Sequence, residues 1–247
     1  MTARRTHVAA GAFAAAVALA LSGCGILPEA PGPEPTDFVP SVTASAAVAG
    51  ALSPDGFSAA QRMTVRVRNI GCGFLATGSG FALNAHTLVT NRHVVENAKD
   101  IEVSTYDGRV IQATAASATT LADIAIITTK ESLKTAYADR ATEDPVEGDV
   151  VTVVGYPNGG KLTTTSGVVL GKTTDPLESA AGPVLASTAQ IEPGSSGSGV
   201  FDASGRVVGV IYAKNKAEQS FIVPISTLND LLGEPSLLVP EKEGCNS

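Results

Sequence analysis

The 247-residue chain is 44% hydrophobic and 17% charged, which supplies apolar material for one large or two small cores and excludes wholesale disorder. Its 25 Gly and 14 Pro follow no fixed period, so solenoid and collagen architectures drop out. Lys and Arg number 17 against 24 Asp and Glu, a net charge of -7, and no basic stripe offers a nucleic acid a phosphate-binding face. Trp is absent and aromatics are only 4%, so any core must be packed mainly with Val, Ile, Leu and Ala.

At the N-terminus Arg4 and Arg5 precede an apolar run from Val8 to Leu21, too short to span a bilayer and suited to an export signal. Leu21-Ser22-Gly23-Cys24 follows directly. The stretch resembles the bacterial lipoprotein signal with its Leu-[Ala/Ser]-[Gly/Ala]-Cys box. That resemblance implies removal of residues 1–23, acylation of the Cys24 sulfur, and a chain exported and lipid-anchored to the bacterial cell membrane on its extracytoplasmic side. Ordinary secretory cleavage, with Cys24 a bystander, is the alternative. Residues 24–57, rich in Pro, Ala and Ser, read as a partly extended tether. No later segment is long and apolar enough to span a membrane.

From Met63 short strands take over. Thr64 to Arg68 alternates, Gly80 to Leu83 and Leu88 to Thr90 flank the turn Asn84-Ala85-His86, and Ile101 to Ser104 precedes Tyr106-Asp107-Gly108. Further strands are expected at Ile124 to Thr128, Val150 to Gly155, Gly167 to Leu170, Thr188 to Ile191, Val200 to Asp202, Val207 to Tyr212 and Phe221 to Val223. A helix is expected over Ser226 to Leu232, capped by Ser226 and ended by Gly233. The fold class is therefore all-β, with strands enough for two barrels.

A serine nucleophile needs a neutral imidazole to take its proton, a buried carboxylate to orient that ring, and backbone N–H groups aimed at the oxyanion. His93 lies between the apolar runs Leu88-Val89-Thr90 and Val94-Val95, at an expected strand end, whereas His86 sits in a turn. Asp123 is set in Leu121-Ala122-Asp123-Ile124-Ala125-Ile126-Ile127, where an unpaired carboxylate would be expensive to bury. Asp100 and Asp107 stand in polar or turn contexts. Glu192-Pro193-Gly194-Ser195-Ser196-Gly197-Ser198-Gly199 can turn sharply and present consecutive N–H groups to an anion. No metal-ligand pattern or cofactor motif stands out.

These segments resemble the chymotrypsin-fold serine proteases, and most of all the bacterial trypsin-like and HtrA-type peptidases. Thr90 to Val95 matches the family's His motif, Asp123-Ile124-Ala125 its Asp-[Leu/Ile]-Ala motif, and Gly194 to Ser198 its Gly-Asn-Ser-Gly-Gly motif, in the family's order. Ser195 stands where Asn is usual and Ser198 where the second Gly is usual. The resemblance implies two six-stranded antiparallel barrels meeting near residues 140–150 within a domain over residues 58–232; in a departure from the HtrA type, the tail, 233–247, is expected to hold no PDZ-like region. Carried residue by residue, it makes His93 the general base, Asp123 its orienter and Ser196 the nucleophile, with the N–H groups of Gly194 and Ser196 as oxyanion hole.

The same resemblance places Gln190, Ile191, Val210, Ile211 and Tyr212 around the specificity (S1) pocket. Gln190 offers no charge there, so an uncharged substrate residue before the scissile bond is expected, unless Asp175 or Glu178 of the 171–186 loop reaches the pocket. With Cys24 lipidated, Cys72 and Cys245 remain as a candidate disulfide, because the family's C-terminal helix packs back on the first barrel. Two functions stay open: a membrane-anchored serine endopeptidase acting on proteins or peptides, and a protease-fold lipoprotein that binds peptides or partners with little turnover. An α/β-hydrolase esterase is rejected, since the order is His, Asp, Ser and no Gly-x-Ser-x-Gly elbow is present.

Overall fold

Thirteen strands and three short helices make up residues 52–175 and 182–241, the part of the chain described by the computed structural model. Strand β1 (Thr64–Ile70) shows why a barrel forms: Val65, Val67 and Asn69 are buried while Arg66 and Arg68 lie partly exposed, the period-two pattern of a strand with one wet face. It pairs with β2 (Leu75–Ala82) and β4 (Asp100–Ser104); β2 pairs with β3 (Thr87–Thr90), β3 with β6 (Ala125–Thr129), and β5 (Val110–Ala118) joins β4 to β6 and closes the ring. The second barrel is closed in the order β10 (Gly199–Phe201), β11 (Val207–Lys214), β12 (Ser220–Pro224), β9 (Val184–Ser187), β8 (Thr163–Thr173) and β7 (Val150–Gly155). Closure leaves few free sheet edges.

The first barrel is filled by Val65, Val67, Leu88, Val103, Ile111 and Ile127. The second holds Val153, Val169, Leu185, Val200 and Ile211, and its cluster runs on into Phe81, Val89 and Ile124 of the first, so one apolar seam joins the barrels. Each fully buried aliphatic side chain contributes about 1.5–3 kcal/mol. The interior is mainly aliphatic, as composition requires, with Phe81 and Phe201 among the largest fully buried side chains.

Several sequence expectations need correction. His93 is not at a strand end but in a one-turn helix, α2 (Arg92–Val95), following β3; α1 (Ala59–Met63), closed by a Ser58–Gln61 capping box, precedes β1. Thr188 to Ile191 is irregular, and the strand before the glycine loop is β9, ending at Ser187. The C-terminal helix, α3 (Ile225–Gly233), has Pro224 at its N-cap and Gly233 inside it; Ser226 is held by Asp144, which accepts from both its N–H and its hydroxyl at 2.9 Å. Burial of α3 is against β11 and β12 of the second barrel rather than against the first. The residues after it return instead: β13 (Val239–Pro240) pairs with Ala118 and Ser117 of β5, and the Glu241 N–H donates to Ala116 O. Cys72 lies in the turn between β1 and β2 and has a bonding partner. Cys24, Cys245, Glu178, the leader and the tether up to residue 51 lie outside the described residues.

Candidate active site

Asp123 is 8% exposed just before β6, and burial of a carboxylate demands partners. The short helix α2 supplies two. The His93 N–H donates to Asp123 Oδ1 at 3.1 Å, and His93 Nδ1 lies 2.5 Å from Asp123 Oδ2. A carboxylate can only accept, so Nδ1 carries a proton toward Asp123, and the neutral ring has its lone pair on Nε2. The imidazole is 46% exposed, open to a substrate, while the carboxyl side chain is 10% exposed. Asn91, at the N-cap of α2, adds a brace that sequence reasoning did not single out: its side-chain amide donates to the Asp123 carbonyl at 2.6 Å. At the other end of α2, the Asn69 amide donates to the Val94 and Glu96 carbonyls at 3.0 and 2.9 Å.

The glycine loop enters from irregular chain after Ser187 and leaves into β10. Gly194 (φ +90) and Gly197 (φ +86) occupy the left-handed region, and a Cβ on Gly194 would lie 2.8 Å from the Tyr156 carbonyl oxygen. Only glycine fits there. Of the loop's three serines, Ser195 is buried with its hydroxyl accepting the Glu192 N–H at 3.2 Å, Ser198 is fully buried, and Ser196 is partly exposed. No hydrogen bond joins Ser196 Oγ to His93 among the described residues, a contact that commonly tightens only around substrate. Among those residues the N–H groups of Gly194 and Ser196 also donate to no protein acceptor. A presented hydroxyl, an imidazole oriented by a buried carboxylate, and two unspent N–H donors are the parts that acyl transfer requires.

The family model for the trypsin-like peptidase domain matches residues 78–210, a span reaching from β2 to β11. The chain belongs to the trypsin-like peptidase family. It is 29% identical over 169 residues to a probable periplasmic serine endoprotease, DegP-like, of Halomonas elongata, covering 66% of this chain and 34% of that protein. It is 33% identical over 131 residues to the serine protease Do-like HtrA of Bacillus subtilis, covering 50% of this chain and 29% of the relative. The chain thus spans about a third of the length of the curated relatives it matches. The active form of the Rv3671c protease from M. tuberculosis superposes with a TM-score of 0.63 at 26% identity, covering 72% of this chain and 81% of that one.

Beside the loop of this peptidase domain lies a cavity of about 170 Å³, lined by Gln190, Ile191 and Glu192 together with Val153, Ser195 and Ser198; the Glu192 carboxylate meets Lys214 Nζ at 3.4 Å. Val210, Ile211 and Tyr212, which the family pattern also puts around the specificity pocket, are buried on β11 and are not among its lining residues. Asp175, one of the carboxylates that could charge that pocket, is 4% exposed, and its Oδ1 accepts the Tyr212 hydroxyl at 2.6 Å. Burial, reinforced by that carboxylate, pushes the Tyr212 phenol far up, so it stays a donor at any ordinary pH. Among the described residues no cluster of His, Cys, Asp or Glu is arranged to hold a metal.

Proposed function

We propose that the chain is an extracytoplasmic serine endopeptidase working through an acyl-enzyme, with Ser196 as nucleophile, His93 as general base, Asp123 as its orienter, and the N–H groups of Gly194 and Ser196 as oxyanion hole. The observation that carries this reading is the doubly bonded Asp123–His93 pair, which engages Nδ1 with the carboxylate and leaves Nε2 of a half-exposed side chain for the proton transfer. In the acylation step Ser196 Oγ attacks the scissile carbonyl carbon while its proton passes to His93 Nε2. The carbonyl oxygen becomes an oxyanion received by the two N–H groups, each such donor worth about 3 kcal/mol of transition-state stabilisation. The protonated ring, held opposite the Asp123 carboxylate, then delivers its proton to the leaving amine. Water repeats the sequence on the acyl-enzyme and restores Ser196.

Substrates are protein or peptide chains with an uncharged residue before the scissile bond. Gln190 and Ile191 bring no counter-charge; Glu192, which also lines the cavity, is paired with Lys214 Nζ at 3.4 Å, and Asp175 already accepts the Tyr212 hydroxyl. A charged side chain desolvated without a partner costs several kcal/mol, on the order of what a Val or Leu gains by burial. In a peptide library, cleavage is expected after Val, Ala or Leu. Efficient cleavage after Arg or Lys would show that a carboxylate, Glu192, Asp175 or Glu178, serves the pocket and would overturn this preference.

The anchor proposed is a lipid on Cys24, with the protein facing away from the cytoplasm, a placement supported by the periplasmic description of the H. elongata relative. A Cys72–Cys245 bridge is proposed with it, since β13 brings the chain back to the first barrel a few residues before Cys245. Mass spectrometry of the exported, unreduced protein checks both at once. The expected products are a diacylglyceryl-modified peptide beginning at Cys24 and a cross-linked Cys72–Cys245 peptide; an unmodified Cys24 terminus, or free thiols at 72 and 245, would refute the corresponding part.

A further inference from the structure

We propose that Ser79, a residue of the first barrel, is the positioning residue that fixes the two oxyanion-binding N–H groups of the second barrel's glycine loop; this rests on the peptidase reading above. Ser79 lies on β2, fully buried, and uses every polar group it has. Its N–H donates to the Ser196 carbonyl at 2.7 Å and its hydroxyl donates to the Gly194 carbonyl at 2.8 Å. The same hydroxyl accepts the Tyr156 N–H at 2.8 Å, and the Ser79 carbonyl accepts the Thr90 hydroxyl at 2.7 Å.

The consequence follows from the planarity of the peptide unit, in which each carbonyl points opposite to the next residue's N–H. The plane between Gly194 and Ser195 is tied at both ends, its carbonyl to Ser79 Oγ and its N–H to Glu192 O at 2.9 Å. So is the plane between Ser196 and Gly197, its carbonyl held by the Ser79 N–H and its N–H donating to Ile211 O at 2.8 Å. The two planes alternating with these are tied at the carbonyl only: Pro193 O accepts from the Asn158 N–H at 2.5 Å and Ser195 O from the Ser198 N–H at 3.0 Å. Their N–H ends belong to Gly194 and Ser196. Ser79 grips both of the fully tied planes, and with them fixed, the plane between carries the Ser196 N–H outward. Through Thr90, two residues before Arg92, the same side chain and backbone link the loop to the strand that leads into the His93 helix. A hydroxyl is required at 79, because it serves a donor and an acceptor partner at once.

The test uses the full-length protein, peptide-amide turnover and the affinity of a peptide aldehyde, whose adduct places an oxyanion on the same two N–H groups. Ser79→Ala is expected to lower kcat about 10- to 100-fold, to weaken the aldehyde in parallel, and to leave KM within about threefold. Ser79→Cys, which keeps the volume and donates only weakly, is expected to fall between and carries the same test if Ser79→Ala does not fold. Ile111→Ala, in the first-barrel core on β5, which pairs with β4, β6 and β13 and not with β2, supplies the comparison: at matched loss of melting temperature it keeps kcat and aldehyde affinity. If the Ser79 variants melt lower but match Ile111→Ala in both readouts, Ser79 is merely structural and the proposal is overturned. If the wild-type protein neither turns over peptide nor binds the aldehyde, the peptidase reading itself fails, and this inference with it.

Discussion

Ser196→Ala is expected to lower peptide turnover by several orders of magnitude, whereas Ser195→Ala and Ser198→Ala should keep a large part of it. The three hydroxyls share one loop, and the structure separates them by access and by occupation. Ser195 Oγ faces inward and accepts the Glu192 N–H. Ser198 is fully buried, its hydroxyl without a hydrogen-bond partner among the described residues, and an apolar replacement there removes an unsatisfied polar group rather than a contact. Ser196 alone is reachable from solvent and carries one of the two unspent N–H groups on its own backbone. Steady-state kinetics on the three purified variants, with unchanged circular dichroism, decides the assignment; substantial turnover in Ser196→Ala would move the nucleophile elsewhere.

Asp123→Asn carries the second large effect, a loss on the order of 10³ to 10⁴ in kcat near neutral pH with KM little changed. An Asn side chain has nearly the size of Asp and can still accept one of the two hydrogen bonds that Asp123 now accepts from His93. Its amide nitrogen, however, donates. Turned toward Nδ1 it would force the ring proton onto Nε2, the atom that must be free to take the serine proton. The missing charge also leaves the imidazolium formed during acylation unsupported. Retention of more than about a tenth of wild-type kcat would show that the carboxylate's charge is dispensable and that its role is mechanical.

The fold class was legible in the sequence because β1, β3, β7, β11 and β12 carry alternating or continuous runs of Val, Ile and Leu. Three strands were not expected, one of them β13, only two residues long. β5 reads Val-Ile-Gln-Ala-Thr-Ala-Ala-Ser-Ala, rich in a residue that strands disfavour, and it is a strand because β4 and β6 lie ready on either side of it. β9 is four residues long and fully buried, and its placement is decided by pairing with β8 and β12. At the C-terminus, Ser226 has the composition of a helix cap, but Asp144, from far earlier in the chain, takes both of its donors. The residues expected to be catalytic were legible because each sits in a short, chemically unusual local context: a His between apolar runs, an Asp among aliphatics, a serine amid glycines. Their supports were not. Ser79 and Asn91 look like any small polar residue near a strand, and their partners lie 115 and 32 residues away in sequence, respectively.

The most direct measurement is a fluorophosphonate reaction on the folded full-length protein, followed by digestion and mapping of the adduct. The expected result is one phosphonyl group, on Ser196 and not on Ser195 or Ser198, with labelling abolished in Ser196→Ala and slowed in Asp123→Asn. Absence of any adduct on correctly folded protein, or an adduct on a serine outside this loop, would contradict the account.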